Sequence, residues 1–351
     1  MLLETIVPIV AQQIGDLVRD ALGRRREQAE ARRGAHEDAE IAERAHVRAL
    51  TAESVVLESR ERRNRLIEAG PFIYDSDVVV HHIRQASKHA GTPILLFAPI
   101  GSTPGAGDTG PYDVGLRNTW NQLPWREDAC AIGGAFKRPL DNHDIDLAVL
   151  RAAVQDLPII LLRGELQTAD RFWISIVGWG IVGGNRDSGI EINLPPLAVP
   201  AAQPLEFQDW LARLCAILVG ILAEWHALIT SDRPPRIHTL VTPDEQPWVG
   251  PAVAAGYDIA AEQGLYTAET KQLRQSRILA ESGRPDDAAA RIDDETLRRL
   301  TESADFRPTL DDLHAVCELL EDETRVSAIR DAIDVITQRS FIAGDSPLRT
   351  W

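Results

Sequence analysis

Apolar residues at Ile6, Ile9, Val10 and Leu17 share one face of a helix, with polar residues between them, so residues 1–22 predict an amphipathic helix. From Asp16 to Ala69 there is no proline, and the segment is rich in Ala, Glu and Arg, the strongest helix formers. If continuous through Gly34, that helix would reach roughly 80 Å. Its apolar spacing is uneven. Ala35, Ala39, Ala42 and Ala49 form a thin stripe, whereas Val55, Val56 and Leu57 form a stronger patch. The stripe is too thin for a self-sufficient coiled coil. The pattern predicts partner contacts around Ile6, Ile9, Val10 and Leu17 and around Val55, Val56 and Leu57, joined by a solvated Arg/Glu spacer.

Gly70 and Pro71 end this pattern, and an α/β rhythm follows. A helix is expected from about Ser76 or Asp77 to before Gly91, then a short continuous apolar run, Pro93 to Ala98, of the buried-strand type. A loop and one or two helices come next, then a helix from about His143 to Gln155 and a second buried run, Pro158 to Leu162. Strand, helical crossover and strand imply parallel pairing. Arg171 to Val177 and Ile190 to Leu194 read as hairpin strands, which makes the sheet mixed. Leu205 to Ile229 is apolar nearly all round and predicts a core helix. Ile237 to Val241 reads as a last strand. The expected fold is thus α/β, a mixed and mainly parallel small sheet with flanking helices, preceded by a long N-terminal α-helix and followed by an all-α tail. The corresponding domains are 1–69, 70–245 and 246–351.

Within the tail, residues 281–294 (ESGRPDDAAARIDD) resemble the helix-turn-helix corner of tetratricopeptide-type repeats. No period of that length accompanies the corner, so the segment predicts a helical hairpin. Gly264, Gly283, Pro285 and Pro308 are the expected breaks.

Net charge, -16, means that the average surface repels phosphate, and nucleic acid is not an expected partner. The Arg-rich stretches at 24–33 and 60–65 are interleaved with Glu, the signature of a solvated helix face. Lys88, Lys137 and Lys271 are the only lysines among 37 basic residues, a bias that suits a GC-rich bacterial gene. Cys130, Cys215 and Cys317 are far apart, odd in number and without C-x-x-C spacing, which favours a reducing compartment over a disulfide or zinc framework. Glu4 sits where a signal peptide would carry basic residues, and the apolar run Leu214 to Ala223 is too short to span a bilayer. The expected location is cytoplasmic, although the first helix is amphipathic enough to lie on a membrane surface.

No phosphate loop with Gly-Lys-Ser/Thr, no H-E-x-x-H and no G-x-S-x-G is present. No dinucleotide-binding fingerprint is expected either, and no cofactor or metal. The candidate ligand site is geometric. Parallel pairing brings the loop beginning at Ile100 and the segment Arg163 to Glu165 to one edge, the carboxyl ends of the strands where open α/β sheets bind ligands. Ser102, Thr103, Asp108, Asp113, Arg163 and Glu165 would offer hydroxyl, carboxylate and guanidinium groups there. Gly101, Gly105, Gly107 and Gly110 would let backbone amides approach an anion. The plain alternative is a flexible surface loop. Asp141, His143, Asp144 and Asp146 resemble metal ligands, yet acidic residues also collect at helix starts because the dipole favours them there. His81 and His82 are adjacent, so a helix points them apart. The tryptophans Trp120, Trp125, Trp173, Trp179, Trp210 and Trp225 mark the core of the α/β unit.

Missing catalytic motifs and two partner-seeking helical ends point to a non-catalytic assembly or adaptor protein of a bacterial signalling or defence system. It would associate with itself through its N-terminal helix and with other proteins through its tail. Two alternatives stand beside it: a small-ligand sensor or enzyme with its site at the carboxyl ends of the core strands, and a peripheral membrane protein anchored by its first helix.

Overall fold

The computed structural model describes residues 76–132, 136, 138–140, 144–154, 156–182, 189–200, 203–302 and 306–342. The expected N-terminal helix, with Ile6, Ile9, Val10, Leu17, Val55, Val56 and Leu57, lies outside them. The described residues form two compact units that divide between His226 and Ala227.

In the first unit, α1 (Ser76–Ala90) leads into β1 (Ile94–Phe97) and the short β2 (Gly101–Ser102). Helix α2 (Gly110–Gln122), β3 (Cys130–Ile132), α3 (Asp144–Val154), β4 (Ile159–Thr168), β5 (Arg171–Trp179), β6 (Gly189–Asn193) and β7 (Leu197–Ala198) follow. The order across the seven-stranded sheet is β3-β1-β4-β5-β6, with β2 beside β4 and β7 beside β5. Pairing is parallel from β3 through β1 and β2 to β4 and antiparallel from β4 through β5 to β6 and β7. The mixed sheet follows from the connections: a helical crossover separates β1 from β4, whereas the two-residue turn between β4 and β5 permits only a hairpin.

Strand alternation sorts the core into two layers. Ile94, Leu96, Ile159, Leu161, Val177 and Trp179 pack against Val79 and Ile83 of α1 and Leu150 and Val154 of α3. Leu95, Ile160, Leu162, Phe172, Ile174 and Ile176 are buried on the opposite face. That face is covered by α2 and by α4 (Pro204–Ser231), through ring contacts of Phe172 with Tyr112 at 4.8 Å and with Phe207 at 6.5 Å. The Trp125 Nε1–H donates to the Ala216 carbonyl at 3.1 Å and ties the segment after α2 to the same helix. Helix α4 is long and apolar enough to cross a bilayer, but most of its apolar stretch is buried within the fold. Each large aliphatic side chain so buried contributes about 1.5–3 kcal/mol.

The second unit is helical. It comprises α5 (Ile237–Leu240), α6 (Gln246–Ala254), α7 (Gly256–Glu262), α8 (Ala268–Glu281), α9 (Pro285–Arg291), α10 (Asp294–Glu302), α11 (Phe306–Leu319) and α12 (Glu323–Ile342). The expected strand at Ile237 to Val241 is instead the short helix α5. Its apolar, β-branched composition is overridden by context, since Ile237 is fully buried and His238 is held by Glu281. Gly264 and Gly283 lie between helices, Pro285 opens α9 and Pro308 stands in the first turn of α11, so the expected breaks fall at helix boundaries. Helix α8 is central: Leu273, Leu279 and Ala280 share a core with Ala288, Ile292, Leu297, Leu313, Val316 and Ile329 from the surrounding helices.

Candidate functional site

The loop after β1 does meet β4. Gly101 pairs with Glu165 and Ser102 with Leu166 in parallel register, and Thr103 Oγ1 donates to Glu165 Oε1 at 3.1 Å. The crossover helices α2 and α3 lie on opposite faces, so β3 and β4 flank β1 at the kind of switch point where such sheets open a crevice. Ser102 and Asp113, with Thr109 outside the predicted set, hold the loop itself. Ser102 Oγ donates to the Gly107 carbonyl at 2.8 Å, Asp113 Oδ1 accepts from Ile100 N–H at 2.9 Å, and Thr109 Oγ1 donates to the Ile100 carbonyl at 2.9 Å. Burial raises the Asp113 pKa, more than the Ile100 N–H and Arg117 lower it.

Arg163 does not join this group. The strand continues past Leu162 to Thr168, so Arg163, Gly164 and Glu165 lie inside β4 rather than beyond it. The Arg163 side chain is buried, pairs with Glu191 of β6 at 2.9 Å and lies 5.2 Å from the Trp173 ring. Trp120 and Trp125 are buried and offer no ligand surface.

One feature of the loop corrects the sequence expectation. Gly105-Ala106-Gly107-Asp108-Thr109-Gly110 spells G-x-G-x-x-G between a strand and a helix, the dinucleotide fingerprint. Its chemistry differs from that of a phosphate cradle. Asp108 Oδ1 accepts the Gly110 N–H at 3.0 Å, Pro111 has no N–H, and the amides of Tyr112 and Asp113 both bond to the Thr109 carbonyl. The helix start that would face a phosphate is thus occupied by carboxylates with its donors engaged.

The second site is in the helical unit, where a pocket of about 270 Å³ is lined by Pro234, Pro235, His238, Tyr257, Arg274, Arg277, Ile278, Glu281, Asp311 and Asp312. Helix α8 supplies Arg274, Arg277, Ile278 and Glu281, at offsets of three, one and three, which place them along one face. Arg277 Nε donates to Glu281 at 2.8 Å and its Nη1 to Asp312 at 2.8 Å. His238 Nε2 lies 2.7 Å from Glu281 Oε2. Arg274 lies 3.6 Å from both Asp312 and Asp232, and over the Tyr266 ring at 5.0 Å. Tyr266 O–H donates to Asp232, whose backbone is left-handed with φ of 51°.

Electrostatics divide two of the pocket carboxylates, Glu281 and Asp312. Burial opposes the charge of Glu281, but its hydrogen bonds to His238 and Arg277 win and hold its pKa below the usual value. At Asp312 burial wins over Arg277 and Arg274, and Asp311 adds repulsion, so its pKa is raised. Burial opposes the charge of Arg277 too, yet Glu281 and Asp312 outweigh it and raise that pKa. Tyr257 is pushed up to about 12, chiefly by burial. His238 is 1% exposed, and its Nδ1 has no hydrogen-bond partner among the described residues. Among the described residues, no three His, Cys, Asp or Glu side chains are grouped to hold a metal ion. The Asp141 to Asp146 side chains lie outside them.

This pocket has little signature in the sequence. The Arg277/Glu281 pair at i,i+4 is its one local sign, and such pairs are common on solvated helices. The chain matches no protein-family model, no curated protein and no solved structure.

Proposed function

We propose that the protein works by recognition, as a non-catalytic assembly or adaptor protein whose helical unit carries the recognition pocket. One observation supports this most: the pocket's ionisable groups are tied into a chain of hydrogen bonds and ion pairs on rigid helices, the arrangement that suits selective binding rather than proton transfer. A general acid or base needs a group free to change protonation against a substrate. Self-association through Ile6, Ile9, Val10 and Leu17, in a cytoplasmic bacterial signalling or defence system, completes the proposal.

The test has two parts. Sedimentation of the full chain is compared with that of a full-length Ile9→Asp/Leu17→Asp variant; monomer for both would remove self-association from the proposal. Thermal shift of the full chain is then measured against small cations, small anions and neutral polar molecules. A shift for one charge class supports the pocket as a recognition element, and no shift for any class overturns it.

A second reading, a sensor or enzyme at the β1/β4 switch point, is favoured by the Thr103–Glu165 hydrogen bond and the glycine-rich loop beside it. Loss of a nucleotide- or metabolite-induced thermal shift in Glu165→Ala would support it; unchanged shifts would remove it.

A further inference from the structure

We propose that the pocket of the helical unit binds an organic cation, a guanidinium or alkylammonium head carried on an apolar stem. This rests on the reading of that pocket as the recognition element and adds the chemistry of its ligand.

Charge is the first argument. Two guanidinium groups in the lining, Arg274 and Arg277, face three carboxylates, Glu281, Asp311 and Asp312. Asp232, beside Arg274, adds a fourth. Both guanidinium charges are already met by carboxylates: Arg277 bonds to Glu281 and Asp312, and Arg274 lies 3.6 Å from Asp312 and from Asp232, with its Nε making no hydrogen bond among the described residues. An incoming anion would meet carboxylates within 4 Å of either guanidinium and be repelled by them. A cation meets the opposite situation. Asp311 is exposed, makes no ion pair among the described residues, and repels the buried Asp312 next to it. A positive head placed near both relieves that repulsion. The -16 charge of the whole chain steers cations rather than anions towards the surface.

Hydrogen-bond capacity is the second argument. Glu281 is held ionised by His238 and Arg277, and an ionised carboxylate only accepts, so the His238 proton sits on Nε2. In the neutral ring Nδ1 is then an acceptor, and it has no donor among the described residues. Ammonium and guanidinium groups bring only donors. The walls supply the third argument: Pro234, Pro235 and Ile278 are apolar surfaces for a methylene stem, and the Tyr257 ring can face a positive head. A metal ion fits less well, because the guanidinium of Arg277 already stands between Glu281 and Asp312.

The cation could be a free molecule or an Arg or Lys side chain of a partner, and the experiment separates the two. Calorimetric titration of the full chain at low and moderate salt would use agmatine, the tripeptide acetyl-Gly-Arg-Gly-amide, inorganic phosphate and glutarate. Expected are saturable binding of agmatine or the tripeptide at one site per chain and weakening by salt. Asp311→Asn should weaken binding about fivefold, the size of one partly screened pair. Asp311 is exposed and outside the ion-pair chain, so this variant keeps the fold; an unchanged unliganded melting temperature verifies that. Tripeptide binding without agmatine binding supports the proposal and assigns the cation to a partner chain. Agmatine binding untouched by Asp311→Asn overturns the site. Binding of phosphate or glutarate but of neither cation overturns the cation assignment and leaves the recognition reading standing, whereas no binding by any of the four overturns the cation assignment, and the recognition reading too when the neutral polar molecules also give no thermal shift.

Discussion

Gly250 of α6 faces Ser282 at the end of α8 so closely that a methyl group has no room. A Cβ there would lie 2.1 Å from Ser282 Oγ and 2.4 Å from Ser282 Cβ. Favourable contacts between such atoms begin near about 3.5 Å, so Gly250→Ala must move the helices apart by more than about 1 Å. Ser282 cannot simply turn away, because it is fully buried and its Oγ donates to the Ile278 carbonyl at 2.6 Å. Overpacking of this kind costs about 1–3 kcal/mol. The better helix propensity of alanine returns about 0.5–1 kcal/mol, which leaves a net loss of about 2 kcal/mol when the upper end of the first range applies. Removing the obstructing atoms should reverse most of it. Ser282→Gly alone loses one buried hydrogen bond, about 1 kcal/mol, but in the Gly250→Ala background it opens the space the methyl needs. The double-mutant coupling should therefore be favourable by about 1–2 kcal/mol. Denaturant unfolding of the full chain gives the global value, and hydrogen exchange at residues 246–254 and 268–281 gives the local one, since two units need not unfold together. A Gly250→Ala protein as stable as its parent, or a double mutant no better than the sum of its parts, would refute the close approach of α6 and α8.

Three further outcomes follow from the same kind of reasoning. Gly164→Ala would place a Cβ 2.8 Å from the backbone oxygen of Trp173 and 3.1 Å from Ile100 Cδ1, so β4 and β5 must separate. A loss of about 2–3 kcal/mol and faster exchange of the amides in 171–179 are expected. Trp125→Phe removes the donor to Ala216 and weakens the contact with Arg213, 5.0 Å from the ring, so unfolding should cost about 1–2 kcal/mol less than in the parent. The pKa of Glu281 is lowered on folding, so its ionisation stabilises the fold above the unfolded carboxylate pKa, and that contribution disappears as pH falls through the lower folded value. Stability profiles from neutral to strongly acidic pH should show a shallower acid limb in Glu281→Gln; an identical slope would mean that the His238–Glu281–Arg277 chain does not form.

What was legible in the sequence is what depends on neighbours in the chain. PILLFA and PIILL were read as buried strands because both faces of a strand in a covered sheet must be apolar, and β1 and β4 do lie side by side. Leu205 to Ile229 was read as a core helix because its apolar residues leave no solvent face, and it became α4. The misreadings share the opposite cause. Arg163 and Glu165 looked like loop residues because charge usually ends a buried strand. Here Trp173 and Glu191, brought in by hairpin pairing, take up the Arg163 guanidinium and let β4 continue. Likewise, Ile237 to Val241 has strand composition, but no strand among the described residues pairs with it, and the Glu281 that holds His238 lies far along the chain.

The same contrast separates the two candidate sites. The glycine-rich stretch after β2 gathers Ser, Thr and Asp within a few residues, which makes it conspicuous, yet short spacing is also what lets those groups satisfy each other. Asp108 reaches Gly110, Ser102 reaches Gly107, and Asp113 reaches Ile100, so the loop closes on itself. The pocket of the helical unit is built the other way. Arg274, Arg277 and Glu281 come from one helix, but His238 and Asp312 come from segments with no local reason to meet them. Groups brought together by packing are constrained by the helices that carry them, so their hydrogen bonds need not all be completed locally. The result is visible at His238, where one ring nitrogen is fixed by Glu281 and the other is left without a partner among the described residues. A buried nitrogen in that state costs about 1–3 kcal/mol, and a ligand that supplies its missing partner recovers it.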